Sequence, residues 1–279
     1  FVSLCNFLPG PSSSQVGMSI GYYFKGLKGA LLSWLGFTAP SALILIAFAY
    51  TILNFENSIS YGIIQGLKAI VVIIVFQAIL GMKKNLLKDN YGYFLTIVTS
   101  IFLILFPSSF NQFLCLIMSG IFGIIFYKDQ SEIKEKNINL SKINFLNYSA
   151  LILFFLLLIL LPVIASFFDS NLLKIVNSFY RIGSLVFGGG HVVLPLLQEE
   201  FVTSGLIKEH VFLAGYGASQ AIPGPLFTFS AYLGMFLKSG IDKILLSIFC
   251  LFFIFLPSFL LVTGTLPFWQ KLREVNLFS

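Results

Sequence analysis

The chain has 279 residues, 57% of them hydrophobic and 10% charged, with a formal net charge of +6. That composition excludes a soluble domain, whose surface needs more charge. The cations gather in short segments between apolar runs, where they report membrane orientation rather than nucleic-acid binding.

The first element is broken at once, because residues 7–17 read FLPGPSSSQVG. Pro9 and Pro11 lack N–H groups and Gly10 lacks a Cβ, so no continuous helix runs through them; a helix is expected to begin at Pro11. Its first turn carries Ser12, Ser13, Ser14 and Gln15, neutral side chains that donate hydrogen bonds. A helix that begins inside a bilayer also presents unpaired N–H groups and the positive end of its dipole, which together favour an anion. Gly17 and Gly21 follow with GxxxG spacing and are read as close helix packing beside the break.

Apolar runs of spanning length come next, at about 30–53, 61–81, 91–107, 112–127 and 148–168, with a last one at 244–267. A crossing needs roughly 20 residues. None is a cleavable signal, since no basic segment and small-residue cleavage site flank an isolated run. Lys83, Lys84 and Lys88 share one loop and Lys128, Lys134, Lys136 and Lys142 another, two spans later. The positive-inside bias places 82–90 and 128–147 in the cytoplasm, 54–60 outside, and the Lys25/Lys28 turn inside. Residues 128–147 form a long polar linker and divide the chain into two halves. Cys5, Cys115 and Cys250 lie scattered in apolar stretches without paired or metal-ligand spacing, as packed cysteines do.

In LLKIVNSFYRIGSLVFGGGHVV, residues 172–193, Arg181 sits mid-run among apolar neighbours, the best cation to balance a bound anion, while Lys174 lies nearer the segment end. Gly188, Gly189 and Gly190 offer a backbone-lined bend. Residues 191–210 are too polar to span and are expected along the cytoplasmic interface; within them His191, Glu199 and Glu200 are the candidates for proton coupling.

The segments 211–222 and 226–237 hold about twelve residues each and so reach about 18 Å, little more than half the hydrocarbon. Between them lies AIPGPLFTFSA, residues 221–231, whose Pro225 is expected to start another helix and whose hydroxyls are Thr228 and Ser230. The two breaks should therefore not be equivalent. Laying 215–231 over 1–17 puts Pro9, Gly10 and Pro11 on Pro223, Gly224 and Pro225, and FTAPSALIL at 37–45 resembles FLPSFLLVT at 255–263, with Pro40 over Pro257. Two proline landmarks in one order indicate a duplication.

The segment after 30–53 carries an acid and no base, whereas the one after 244–267 carries Lys271 and Arg273, so the repeats are expected to point opposite ways. Inverted repeats with interrupted segments are the signature of a secondary transporter whose site lies near the midplane. Residues 171–214 have no counterpart before Phe1 and the spans at 61–127 have none after Ser279; with no initiator Met, the sequence reads as a piece of a longer protein. No catalytic constellation emerges from the two histidines, there is no phosphate-binding Gly-rich loop, and no cofactor is expected.

The stretches CNFLPGPSSSQVGMSIGY and GALLSWLGFTAPSALIL, then FGGGHVVLPLLQEEFV and ASQAIPGPLFTFSAYLG, resemble the two halves of the chromate transporter family. The resemblance implies chromate movement across the bacterial inner membrane, commonly as efflux giving chromate resistance, with sulfate a related oxyanion. It carries family positions onto Pro9, Gly10, Pro11, Ser14 and Gln15, and onto Gly188, Gly189, Gly190, Glu199, Glu200, Gln220, Pro223, Gly224 and Pro225.

The expected fold is an all-α polytopic membrane protein with inverted repeats and helices broken at Pro-Gly-Pro. Residues 1–127 and 148–279 are the repeats and 128–147 the linker, with the lipid bilayer as solvent and a homodimer as the protein partner considered. The expected function is transport of a divalent oxyanion, the alternative being a proton- or cation-coupled carrier of another small solute.

Overall fold

The computed structural model of the chain describes residues 1–54, 60–106, 109–126, 144–187 and 190–274. Among them every regular element is helical: α1 (Val2–Phe7), α2 (Ser12–Asn54), α3 (Ser60–Leu86), α4 (Asn90–Leu105), α5 (Ser109–Phe126), α6 (Phe145–Phe167), α7 (Asn171–Leu185), α8 (Val193–Gln198), α9 (Glu209–Ala221), α10 (Phe229–Gly234) and α11 (Lys243–Glu274), with short 3-10 turns and one π turn between some of them. The described residues of each apolar run read from the sequence fall, to within one residue at the ends, on one of these helices.

Ser12–Asn54, Phe145–Phe167 and the Lys243–Phe268 stretch of α11 are long and apolar enough to cross a membrane. Large apolar side chains such as Leu32, Leu43, Phe155 and Ile159 stand exposed along them. Lipid is the solvent that suits such a surface. The chain is an all-α polytopic membrane protein. Residues 55–59 of the expected outside loop (54–60), residues 107–108, residue 127 with residues 128–143 of the polar linker (128–147), and the end of the chain (275–279) lie outside the described residues.

Contacts divide the chain into two compact units, Phe1–Val72 with Ile138–Val275, and Ile73–Asn137 with Asn276–Ser279. In the second, Asp89 caps α4 by accepting from the Gly92 N–H at 2.9 Å, and Tyr91 packs on Phe122 and Phe126 of α5.

The first unit draws on both expected halves and holds both Pro-Gly-Pro breaks. Its α2 is a hairpin, because Lys25 and Gly26 leave helical geometry, Gly26 with φ +59° and ψ −147°. In a straight helix residues 17 and 33 would stand about 24 Å apart, yet the Ser33 hydroxyl donates to the Gly17 carbonyl at 2.8 Å. A Cβ on Gly21 would lie 2.7 Å from the Gly29 carbonyl carbon. The GxxxG glycines thus pack on the second arm of their own hairpin.

The second half repeats the device. After α10 the chain turns back, and a Cβ on Gly234 would lie 2.5 Å from the Ser247 Cα in α11. Gly21 and Ser33 stand in GYYFK and LLS, and Gly234 and Ser247 in GMFLK and LLS. The likeness between the two halves therefore extends beyond the two proline landmarks.

Two expectations need correction. Residues 226–237 form no single helix but a 3-10 turn (Leu226–Thr228) and the six-residue α10, since the chain must already turn at Met235 to bring Gly234 onto α11. Residues 191–210 do not simply lie on a surface: α8 runs into a π turn (Glu199–Thr203), and Val193, Leu197 and Phe201, spaced four apart, are buried in the main core. The Phe201 ring stacks on Phe179 at 4.9 Å.

Candidate functional site

At the first break α1 ends at Phe7 and Gly10 adopts φ +119°, a conformation that L side chains rarely take. The Gly10 N–H donates to the Val186 carbonyl at 2.6 Å, and the Gln15 N–H closes the first helical bond onto Pro11 at 2.9 Å. That leaves the N–H groups of Ser12, Ser13 and Ser14 without intrahelical partners. Gln15 braces the turn: its amide nitrogen donates to the Pro9 carbonyl at 2.6 Å and to Ser258 Oγ at 3.2 Å. Pro9 and Ser12 are half-buried, Pro11 is buried and Ser13 is exposed. Ser14 and Gln15 are fully enclosed, and Ser14 Oγ and Gln15 Oε1 have no hydrogen-bond partner.

The second break follows α9, with Gly224 at φ +154°. Pro223 and Gly224 are exposed, whereas Pro225 is buried. The Thr228 hydroxyl donates to the Pro225 carbonyl at 2.7 Å and that of Ser230 to Phe227 at 2.8 Å. Their protons are thus committed locally, unlike that of Ser14. Gln220, half-buried one residue before the end of α9, has an amide nitrogen that is enclosed without a hydrogen-bond partner.

Each break presses on the Pro-Ser step of the other half. A Cβ on Gly10 would strike Ser258 Oγ, next to Pro257; a Cβ on Gly224 would strike Ser41 Oγ and lie 2.6 Å from the Ser41 Cβ, next to Pro40. These are the two steps that align in the sequence. One segment touches both breaks: Val186 accepts from Gly10, and a Cβ on Gly190 would lie 2.7 Å from the Leu226 Cβ. Gly188 and Gly189 lie outside the described residues, as does the His191 side chain, although residue 191 belongs to the 3-10 turn Gly190–Val192.

Arg181 is paired. Its guanidinium meets Glu200 Oε2 at 2.5 Å, and the Ser178 hydroxyl donates to the other oxygen of that carboxylate. Both charged side chains are partly exposed, so the cation expected as counter-charge has a carboxylate of its own. Glu199 occupies the same π turn. Asp169 lies between α6 and α7, and the Lys174 ammonium of α7, 2.5 Å away, holds that exposed carboxyl below the usual carboxylate range.

Ser41, Ser258 and Val186, which hold the breaks, are not among the residues predicted from the sequence, nor are Trp34 and Thr38. A signal for some of them was present, because Trp34, Thr38 and Ser41 recur every three or four residues along an apolar span and so share one helix face.

A family model described as "Chromate transporter" matches residues 1–124 and 173–279. An uncharacterized transporter of Methanocaldococcus jannaschii is 25% identical over 284 residues, covering 100% of this chain and 68% of that protein. A chromate transport protein of Pseudomonas aeruginosa is 22% identical, covering 98% and 63%, and a probable chromate transport protein of Synechococcus elongatus is 25% identical, covering 97% and 65%. The chain thus spans about two thirds of the length of these curated relatives. No solved structure matches it. The matched residues contain both breaks, the Gly190 turn and both Pro-Ser steps, and the chain belongs to the chromate transporter family.

Proposed function

We propose that the chain forms the translocation core of a secondary transporter for a divalent oxyanion, chromate foremost and sulfate as its tetrahedral relative, in a bacterial inner membrane, with efflux as the route to chromate resistance. The observation that carries this reading is the reciprocal docking of the two breaks, which sets the unpaired start of α2 deep among both halves. An ion moved into a medium of dielectric about 4 faces a penalty on the order of 20 kcal/mol, so hydroxyls and bare N–H groups must replace its water. The first break is the principal anion site and the second a weaker one, because the hydroxyls of the second are already engaged.

Inverted halves also supply alternating access. Each break rests on the other half's long helix, so rocking one half against the other remakes the Gly10–Ser258 and Gly224–Ser41 contacts together. Replacing Ser12, Ser13 and Ser14 by alanine in the full-length protein should reduce uptake of labelled chromate or sulfate into vesicles at least ten-fold, the loss expected for one charge-assisted hydrogen bond. Uptake equal to wild type would remove the site from this break.

The cluster of Glu200, Arg181 and Ser178 keeps a second reading open, a proton- or cation-coupled carrier working through the carboxylates. A transport current that survives Arg181→Gln but vanishes when Glu199 and Glu200 are both made glutamine would favour it.

A further inference from the structure

Buried polar side-chain atoms in folded proteins almost always find a partner, so a cluster of those that lack one calls for an explanation, a bound ligand among them. Around the first break and the helix that faces it, four such atoms are enclosed without a hydrogen bond: Ser14 Oγ, Gln15 Oε1, Trp34 Nε1 and Thr38 Oγ1. The first two stand in the opening turn of α2. The other two lie on its second arm, four residues apart and therefore on one face. Trp34 is 7% exposed and Thr38 1%.

Contacts fix where that face runs. The Trp34 ring packs edge-on against Phe255 and Phe259, with centroids at 5.7 and 5.4 Å. Those residues flank Ser258, which accepts from Gln15 and abuts Gly10. At the other end, the Ser41 hydroxyl donates to the Thr38 carbonyl at 3.0 Å, and Ser41 abuts Gly224. The stripe Trp34, Thr38, Ser41 therefore leads from the seat of the first break to the seat of the second.

Its two unsatisfied groups are suited to one kind of ligand. An indole N–H is a donor only, and a threonine hydroxyl donates freely when its proton is not held by the helix backbone. Neither carries charge, so a bound anion would not be held by a fixed cation and could leave. We propose that Trp34 Nε1–H and Thr38 Oγ1–H are ligand donors of the oxyanion site and, with Ser14 Oγ–H, replace part of the anion's water. Gln15 Oε1 is an acceptor and has no part in the set. This inference rests on the oxyanion reading above and adds to it the residues that face the first break.

Trp34→Phe keeps a ring against Phe255 and Phe259 while deleting the N–H, and Thr38→Val keeps the shape while deleting the hydroxyl. The test is equilibrium binding of labelled sulfate and labelled chromate to the purified full-length protein. It is paired with fluorine NMR of fluorotryptophan-labelled protein, in which the resonance missing from Trp34→Phe identifies Trp34. Each substitution is expected to weaken sulfate binding about ten-fold or more, as for the loss of one hydrogen bond to a charged group. The Trp34 resonance should shift saturably with sodium sulfate and not with sodium chloride of equal ionic strength.

Wild-type affinity in both variants with an unmoved resonance, while the Ser12–Ser14 alanine variant loses binding, overturns the inference and leaves the oxyanion reading standing. If the unmodified protein binds neither anion, both fall together. Weakened binding in Thr38→Val with an intact melting temperature supports the assignment even if Trp34→Phe does not fold.

Discussion

Alanine at Gly10 or Gly224 should abolish transport and lower stability by about 3 kcal/mol or more. Two costs combine. The glycines hold φ +119° and +154°, regions where a residue with a Cβ is strained by about 1–3 kcal/mol. Each added methyl also enters occupied space, and forced overpacking costs typically 1–3 kcal/mol more. The two sites are graded. At Gly10 the obstacles are the ends of side chains, Ser258 Oγ and the Gln15 amide, whereas at Gly224 they include the Ser41 Cβ at 2.6 Å, which no rotamer can move. Gly224→Ala is therefore expected to be the more severe.

Adding Ser41→Gly to Gly224→Ala should restore the volume but not the dihedral strain, so the double variant recovers part of the stability. Thermal unfolding in detergent and vesicle uptake measure both, and the interaction term of the cycle isolates the contact. Wild-type transport by Gly224→Ala would show that the second break does not seat on Ser41 in the working protein.

Gly183→Ala should be the next most damaging change. A Cβ there would strike the Ile254 carbonyl oxygen and lie 3.0 Å from its carbon, so the obstacle is the backbone of α11. The helices must part, and the layer they share, with Phe179, Ile182, Ile254 and Phe255 buried in it, loses contacts along its length. A loss of about 2–3 kcal/mol follows from overpacking at a site that cannot yield. Transport should suffer more than stability alone explains, because α7 ends at the carbonyl of Val186, which holds the first break. Gly36→Ala is the control: it sits inside α2 with nothing within 4 Å of its added Cβ and should stabilise by up to about 1 kcal/mol. Equal melting temperatures for the two variants would refute the close approach of α7 and α11.

What was legible in the sequence is what a few neighbouring residues decide. Missing N–H groups at Pro9 and Pro11 break any helix there, and the structure begins α2 at Ser12. Run length and apolarity mark the helices, three of them long and apolar enough to cross a membrane, and the Lys25/Lys28 turn appears as the bend at Lys25–Gly26. What escaped depends on distant partners. Arg181 reads as an open counter-charge because its carboxylate, Glu200, lies nineteen residues on, beyond any local pattern. The segment at 191–210 is polar overall, but its apolar residues Val193, Leu197 and Phe201 fall four apart and are drawn into the core. The seating of Gln15 on Ser258 spans 243 residues, and no local pattern announces it.

The crossed seating of the breaks bears on how such a protein can evolve. Two similar turns far apart in one chain would ordinarily change piece by piece. Here a change in the turn of one half is felt at the matching step of the other, so tolerated changes must arise in pairs, residue 10 with 258 and residue 224 with 41. Each turn acts as a mould for the step it rests on, and those four positions are bound to one another more tightly than anything on the lipid-facing surface.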